Sequence, residues 1–312
     1  MKEAMYYKKI GTNIQCELCP HKCLIPQGYS GRCRVRYNDH GTLIARGYGK
    51  IVSVAVDPIE KKPLYHFYPG KDILSIGFSS CNMSCGFCQN HTISQTLHQV
   101  KEIPIDLLVG KIDFGIAFTY NEPFINYEYM YDLSLALKRK DSHKKVVLVT
   151  NGMVMTEPLK KILPLVDAFN LDIKGSEAFY KLCGGHYSQV IDNLKWMNQK
   201  HLEVTILMVT DHVSVKDVAD IAELISQVNP QIPLHISRYF PNFEFAQPPT
   251  SLELMEEARY VAKQFLDYVY LGNVNKKQDT VCPNCGHVFV ERHGYEIKIN
   301  KLECKCGRHI RS

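Results

Sequence analysis

Cys81, Cys85 and Cys88 lie in the segment Cys81-Asn-Met-Ser-Cys85-Gly-Phe-Cys88, spaced C-x3-C-x2-C. A structural zinc takes four protein ligands in a tetrahedron, so three thiolates leave it unfinished. A cubane [4Fe-4S] cluster has four irons and is ordinarily held by four cysteines. Held by three, it keeps one iron open to another ligand. The plainer readings are half of a zinc site or three unrelated thiols.

The chain has 12 cysteines, and 11 of them cluster. Cys16, Cys19, Cys23 and Cys33 form an amino-terminal C-x2-C-x3-C-x9-C set, with His21 inside it. Four thiolates there could close around zinc or hold an accessory Fe-S cluster, and the spacing does not choose. Cys282, Cys285, Cys304 and Cys306 form a carboxy-terminal set that reads as a zinc-ribbon or rubredoxin-like knuckle. Its second pair is C-x-C, which puts two thiolates close enough to strain tetrahedral ligation. Cys183 stands alone before Gly184-Gly185 and reads as a buried thiol, or as a group near the substrate. Met1 to Lys9 carries no apolar stretch of the kind that begins a secretory leader. No apolar run approaches the roughly 18 residues of a membrane span. The expectation is a cytoplasmic protein, where reducing conditions favour metal binding over disulfides.

Phe87 precedes the third cysteine of the central triad, giving C-x3-C-x-aromatic-C. That motif resembles the signature of the radical SAM superfamily. The resemblance implies that the open iron binds S-adenosylmethionine (SAM) through its amino and carboxylate groups. Transfer of one electron then splits the sulfonium into methionine and a 5′-deoxyadenosyl radical.

Such a site needs a scaffold. From residue 72, short apolar runs alternate with stretches of helical period. The runs are 73–78, 115–119, 146–150, 168–173, 204–209 and 234–237. Most are nearly continuous and several are β-branched, as strands buried on both faces should be. The segments 124–140, 159–166, 190–200, 215–228 and 252–266 read as helices. Six repeats predict an α/β fold, a partial (β/α)6 TIM-like barrel of the radical SAM type, short of the eight that close a full barrel. A doubly wound open sheet is the alternative. The domains expected are 1–70, a four-cysteine module with a β-hairpin; 71–273, the partial barrel; and 274–312, the cysteine-paired tail.

Active-site residues of a parallel barrel gather at the carboxyl ends of its strands. The polar residues that stand out sit there: the cysteine triad, Asn121 and Glu122, Thr150 and Asn151, Asp172 and Lys174, Thr210 to His212, then His235 and Arg238. Asp172 and Lys174 are two apart on a strand and so share a face. A buried Asp/Lys pair is costly unless each has partners. SAM would supply them, with ribose hydroxyls for Asp172 and the methionine carboxylate for Lys174; a simple ion pair is the alternative. Glu122 could accept from the SAM amino group, Thr150 and Asn151 could hold the methionyl end, and His235 could reach the ribose or adenine. Phe87, Asn121 and Arg238 complete the expected cofactor-binding set. Tyr120 and Tyr239 could line the substrate space or simply pack.

Thr150-Asn151, Asp172-Ile-Lys174 and His235 resemble the SAM-binding groups of pyruvate formate-lyase activating enzymes. A wider resemblance is to the radical SAM enzyme of the AmmeMemoRadiSam system. It is carried by Cys16-x-x-Cys19-Pro-His-x-Cys23, Gly28-x-x-Gly31-x-Cys33, Cys81-Asn-x-x-Cys85-x-Phe87-Cys88-Gln-Asn, Phe118-Thr-Tyr-Asn-Glu-Pro123, Leu234-His-Ile-Ser-Arg-Tyr-x-Pro241 and Tyr270-Leu-Gly-Asn273. It implies a [4Fe-4S] cluster, SAM, an electron donor such as a flavodoxin or ferredoxin, and association with Memo-like and AMMECR-type proteins. It supplies no substrate.

Net charge is +5 with both signs interspersed, too mild to argue for nucleic acid or a membrane surface. A different class of function is a non-catalytic zinc protein that binds partners or nucleic acid through its terminal cysteine sets. It has no use for the central triad or for the Asp172/Lys174 pair. A SAM methyltransferase of nucleotide-binding type lacks its Gly-rich strand-to-helix loop here.

Overall fold

The computed structural model describes residues 2–310. Its centre is a sheet of eight strands. The six expected strands are present as Asp72–Phe78, Gly115–Phe118, Lys145–Thr150, Ala168–Ile173, His201–Met208 and Leu234–Arg238, each parallel to the next. A seventh parallel strand, Val269–Gly272, follows the helix Leu252–Ala262 and pairs with Leu234–Arg238. It is four residues long, as Gly115–Phe118 is, but no helical stretch follows it to complete a repeat. The eighth, Ile51–Pro58, runs antiparallel beside Asp72–Phe78. The outer strands do not pair with each other, so the barrel stays open.

The alternation over residues 42–70 predicts a β-hairpin or a short sheet leading into the main domain, and Ile51–Pro58 takes the second form. Thr42–Ala45 pairs with Arg36–Asp39 across His40-Gly41, whereas Ile51–Pro58 joins the large sheet. Gly47 and Gly49 separate the two runs. Each pattern of alternation was visible, but the partner strand of the second lies beyond a turn-rich connector, and alternation does not name a partner.

The barrel fills in layers. Leu64 and Phe67 pack with Ile73, Ala117, Val147 and Ala168 at the amino ends of the strands. Above them Glu203, His235 and Tyr270 are buried with Asn170. The Glu203 carboxylate accepts from Tyr65 N (2.9 Å), His66 N (2.7 Å), His201 Nε2 (2.9 Å) and His235 Nε2 (2.7 Å). Burial alone would push Glu203 up, but the hydrogen bonds from His201 and His235 outweigh it and hold the carboxyl well below its ordinary range. The top layer, with Asp172, Leu207 and Ser237, faces a cleft.

Helices coat the outside. Val215–Val228 starts on a capping box between Ser214 and Asp217, which satisfies its first N–H groups. The amino-terminal strands Tyr7–Ile10, Asn13–Cys16 and Leu24–Ile25 form their own small sheet. Arg36 fastens that region to the barrel helix Tyr127–Lys140 through a 2.7 Å ion pair with Glu128, both side chains 1% exposed. At the other end, Thr280–Val281, Val288–His293 and Glu296–Ile299 form an antiparallel sheet. Arg292 from this tail is buried, donates to Tyr65 O (2.6 Å) and covers the Tyr65 ring.

Candidate active site

The cysteine loop leaves the carboxyl end of Asp72–Phe78 through Ser80, whose φ of 76° is left-handed. A non-glycine residue there is strained, and such strain persists where neighbours over-determine it. Asn121, on the next strand's loop, supplies that constraint. Its side chain accepts from Phe78 N (3.2 Å) and donates to Phe78 O (2.8 Å) and Ser80 O (2.6 Å). Its amide is thus spent on the loop backbone. Asn121 lines the cleft but serves to place the cysteines rather than to grip a ligand.

Cys81, Cys85 and Cys88 all line one cleft of about 490 Å3 at the carboxyl ends of the strands. The same cleft takes Phe87, Asn121, Glu122, Thr150, Asn151, Asp172 and Lys174. Met83 N donates to Cys81 Sγ (3.4 Å), and Cys88 Sγ contacts Ser94 Oγ (3.1 Å). Burial raises the Cys81 and Cys88 thiols, so a metal must displace their protons to bind. Cys183 is buried, and its carbonyl accepts from Ser84 N (2.9 Å). The Cys85 thiol donates to the Cys183 sulfur, and that hydrogen bond, together with burial, pushes Cys85 up. The burial of Cys183 is what its sequence reading expects, and what the sequence left open is its contact with Cys85, 98 residues away.

Lys174 Nζ and Asp172 Oδ2 form an ion pair of 2.6 Å. Burial by itself would lower Lys174, but the charges of Asp172 and Cys85 outweigh it and raise the ammonium well above its usual value. Asp172 Oδ1 is buried with no hydrogen-bond partner, an acceptor waiting for a donor. Lys174 lies over the Phe87 ring at 5.9 Å, and Phe87 stacks on Phe179 at 5.4 Å. Glu122 accepts from Thr150 Oγ1 (2.8 and 3.0 Å), Asn151 N (2.8 Å) and Phe124 N (3.0 Å). Burial still raises its carboxyl to about 7. Asn151 in turn donates to Asn82 Oδ1 (3.0 Å), next to Cys81. Glu122 therefore sets Thr150 and Asn151 against the cysteine loop. After Asn151 the chain turns at Gly152, where φ is 73° and an added Cβ would lie 2.7 Å from Leu171 Cδ1.

Two expected contacts are corrected. His235 is two residues before Ser237 on its strand, so it faces the same way one layer deeper; it is 2% exposed and bound to Glu203, beneath the cleft. Arg238 has the opposite parity. Its Nε donates to Thr250 O (2.7 Å) and its guanidinium covers Phe240. Tyr239 is likewise buried, donating to Phe245 O, whereas Tyr120 lines the cleft with a left-handed φ of 69°. The sequence reading missed the far wall. Asp57 there accepts from Lys62 Nζ (2.7 Å), Lys61 Nζ (3.1 Å) and Tyr120 OH (2.6 Å). Tyr295 reaches the same wall from the tail.

A model of the radical SAM superfamily matches residues 75–225. An uncharacterized protein of Methanocaldococcus jannaschii is 39% identical over an alignment of 333 positions that covers 99% of both chains. Residues 75–225 form a radical SAM domain. Among solved structures, SuiB of Streptococcus suis bound to S-adenosylmethionine is 15% identical with a TM-score of 0.46, over 62% of this chain and 48% of SuiB. This chain spans about half the length of SuiB. A domain of pyruvate-formate lyase-activating enzyme from Bacteroides vulgatus is 15% identical with a TM-score of 0.44, over 52% of this chain and all of that domain.

Radical SAM enzymes use a [4Fe-4S] cluster and SAM, and the cleft fits both. Three thiolates leave one iron for the cofactor. Asp172 Oδ1 is an unused acceptor, and Lys174 keeps its positive charge. When bound, the cluster supplies the one-electron chemistry; the protein's part is to hold the thiolates, orient the cofactor and keep water out.

The carboxy-terminal quartet could hold a metal ion of its own. Among the described residues, Cys282, Cys285, Cys304 and Cys306 are the one set of potential ligands lying within 4.8 Å of one another. Four of the pairs among their sulfurs are 3.0 to 3.7 Å apart. A tetrahedron with bonds of about 2.3 Å has edges of roughly 3.8 Å, so the set suits a zinc ion. The C-x-C pair does not prevent convergence, and the nearby histidines are not needed: His287 Nε2 is engaged with Lys301 O (2.7 Å).

Proposed function

We propose that this protein is a radical SAM enzyme whose deoxyadenosyl radical abstracts a hydrogen atom from a protein, in the manner of glycyl-radical activases, or from a small molecule. The observation that carries this is the cleft itself: one cavity holds the cysteine triad on one side and the Asp57–Lys62–Tyr120 wall, free of cofactor motifs, on the other. That wall gives a second molecule somewhere to sit. The resemblance of the cysteine, Phe118–Pro123 and Leu234–Pro241 motifs supports membership of the AmmeMemoRadiSam system, with Memo-like and AMMECR-type proteins as partners and a flavodoxin or ferredoxin as electron source. No helix among the described residues is long and apolar enough to cross a membrane, in keeping with a cytoplasmic setting.

The test uses deuterated partners. The holoenzyme is incubated anaerobically with SAM, dithionite and a purified, uniformly deuterated Memo-like or AMMECR-type protein. Deuterium in the released 5′-deoxyadenosine is expected if either protein is the hydrogen donor. Deoxyadenosine that stays unlabelled with both contradicts the protein-substrate reading and directs the search to small molecules.

A further inference from the structure

We propose that Cys16, Cys19, Cys23 and Cys33 hold a second [4Fe-4S] cluster, not zinc, and that the reducing electron enters through it. The radical SAM reading is needed only for what receives that electron.

All four cysteines line one small, apolar hollow, together with Leu18, Ile25, Gly31 and Arg36. Cys16 and Cys33 are 5% and 8% exposed. Yet no three of these sulfurs lie within 4.8 Å of one another, the spacing that the carboxy-terminal quartet does reach. A mononuclear tetrahedral site requires edges of roughly 3.8 Å. In a cubane each thiolate binds a different iron, so the sulfurs stand farther apart. The central triad is spread beyond 4.8 Å in the same way. The amino-terminal quartet therefore matches the iron–sulfur set of this chain and differs from its zinc-like set.

The hollow is also prepared for anionic cargo. Arg36 lines it, with its terminal nitrogens already donating to Glu128 (2.7 Å) and Met5 O (2.9 Å). Arg36 Nε–H is buried with no acceptor, and cluster sulfide or thiolate would supply one. Gly31 allows close approach: a Cβ there would lie 3.6 Å from Cys23 Sγ and 3.1 Å from Ile25 Cδ1.

Its position gives the cluster a role. His21, between Cys19 and Cys23, contacts Asn82 O at 2.7 Å through Nε2, and Asn82 adjoins Cys81. Arg34, next to Cys33, donates to Ser80 Oγ (3.2 Å). The two cysteine loops thus touch. A low-potential one-electron donor reduces the outer cluster; that electron passes to the Cys81–Cys85–Cys88 cluster and is the single electron that sulfonium cleavage consumes. No atom or proton is transferred in the relay.

Metal analysis of anaerobically purified protein decides the first part. The expected content is about eight irons, eight sulfides and one zinc per chain. About four irons and two zincs would overturn it. The variant Cys81→Ala/Cys85→Ala/Cys88→Ala should keep about four irons and a one-electron paramagnetic signal after dithionite; loss of all its iron overturns the proposal. That variant reads the outer site even if the chain cleaves no SAM, so the two readings fail separately. The variant Cys16→Ser/Cys19→Ser should keep its zinc, lose about four irons and cleave SAM about tenfold or more slowly with a protein donor. An undiminished rate overturns the relay. Should this variant not fold, the triple variant still decides the metal.

Discussion

Asp172 has one oxygen in an ion pair and one with nothing to bind. An unused buried acceptor costs stability, so its presence at a cleft signals a missing donor. Asp172→Asn should weaken SAM binding to the holoprotein about 10-fold to 100-fold, read by anaerobic equilibrium binding, while iron content stays unchanged. His235→Ala, one layer down, should leave that affinity within about threefold. Glu122 offers a pH test. Its folded carboxyl titrates at about 7, above the usual value of 4.5, because it is buried. The folded state therefore holds a proton that the unfolded chain has released, and stability falls as pH rises from about 4.5 to about 7. Melting curves between those limits should show this decline, of order 3 kcal/mol in full, and Glu122→Gln should flatten it. Asp172, Lys174 and Glu122 were legible in the sequence because strand parity and strand ends place them. The pairing of Asp57 with Tyr120 and that of Cys183 with Cys85 were not, since 63 and 98 residues separate them, although Lys61 and Lys62 adjoin Asp57.

The strands show why His235 and Arg238 were misjudged. Both were placed near the carboxyl end of Leu234–Arg238, which holds for Arg238, its last residue, but not for His235, its second. A strand end, however, offers alternate residues to opposite faces and successive inward residues to different depths. Ser237 therefore reaches the cleft, His235 lies beneath it, and Arg238 faces outward. The six apolar runs that alternate with helical stretches announced their strands, whereas Val269–Gly272 has no helix after it and Ile51–Pro58 has an antiparallel partner beyond a connector. The buried layer carries its own prediction. Glu203 satisfies four donors from three parts of the chain. Glu203→Leu leaves all four without their acceptor and should cost about 3–5 kcal/mol, read as a large fall in melting temperature.

At the scale of the molecule, two cysteine-rich ends flank one open barrel and both touch its working parts. The amino-terminal loop contacts Asn82, while the tail sends Arg292 to Tyr65 and Tyr295 to the cleft. The tail's small core consists largely of its own cysteines with Phe289, Val290 and Ile310, so a metal ion should stabilise it. Cys304→Ser should remove about one zinc and expose the tail to limited proteolysis, yet leave the iron content intact. Motif spacing made the three cysteine sets readable, whereas the separations of the sulfurs within each set are fixed by the fold and cannot be read from spacing. The decisive measurement is formation of 5′-deoxyadenosine from SAM and dithionite by the anaerobic protein, compared with Cys85→Ala. The wild type should form it and the variant should form none, while its terminal cysteine sets keep their metal. Deoxyadenosine from Cys85→Ala at the wild-type rate would contradict a radical centre built on Cys81, Cys85 and Cys88.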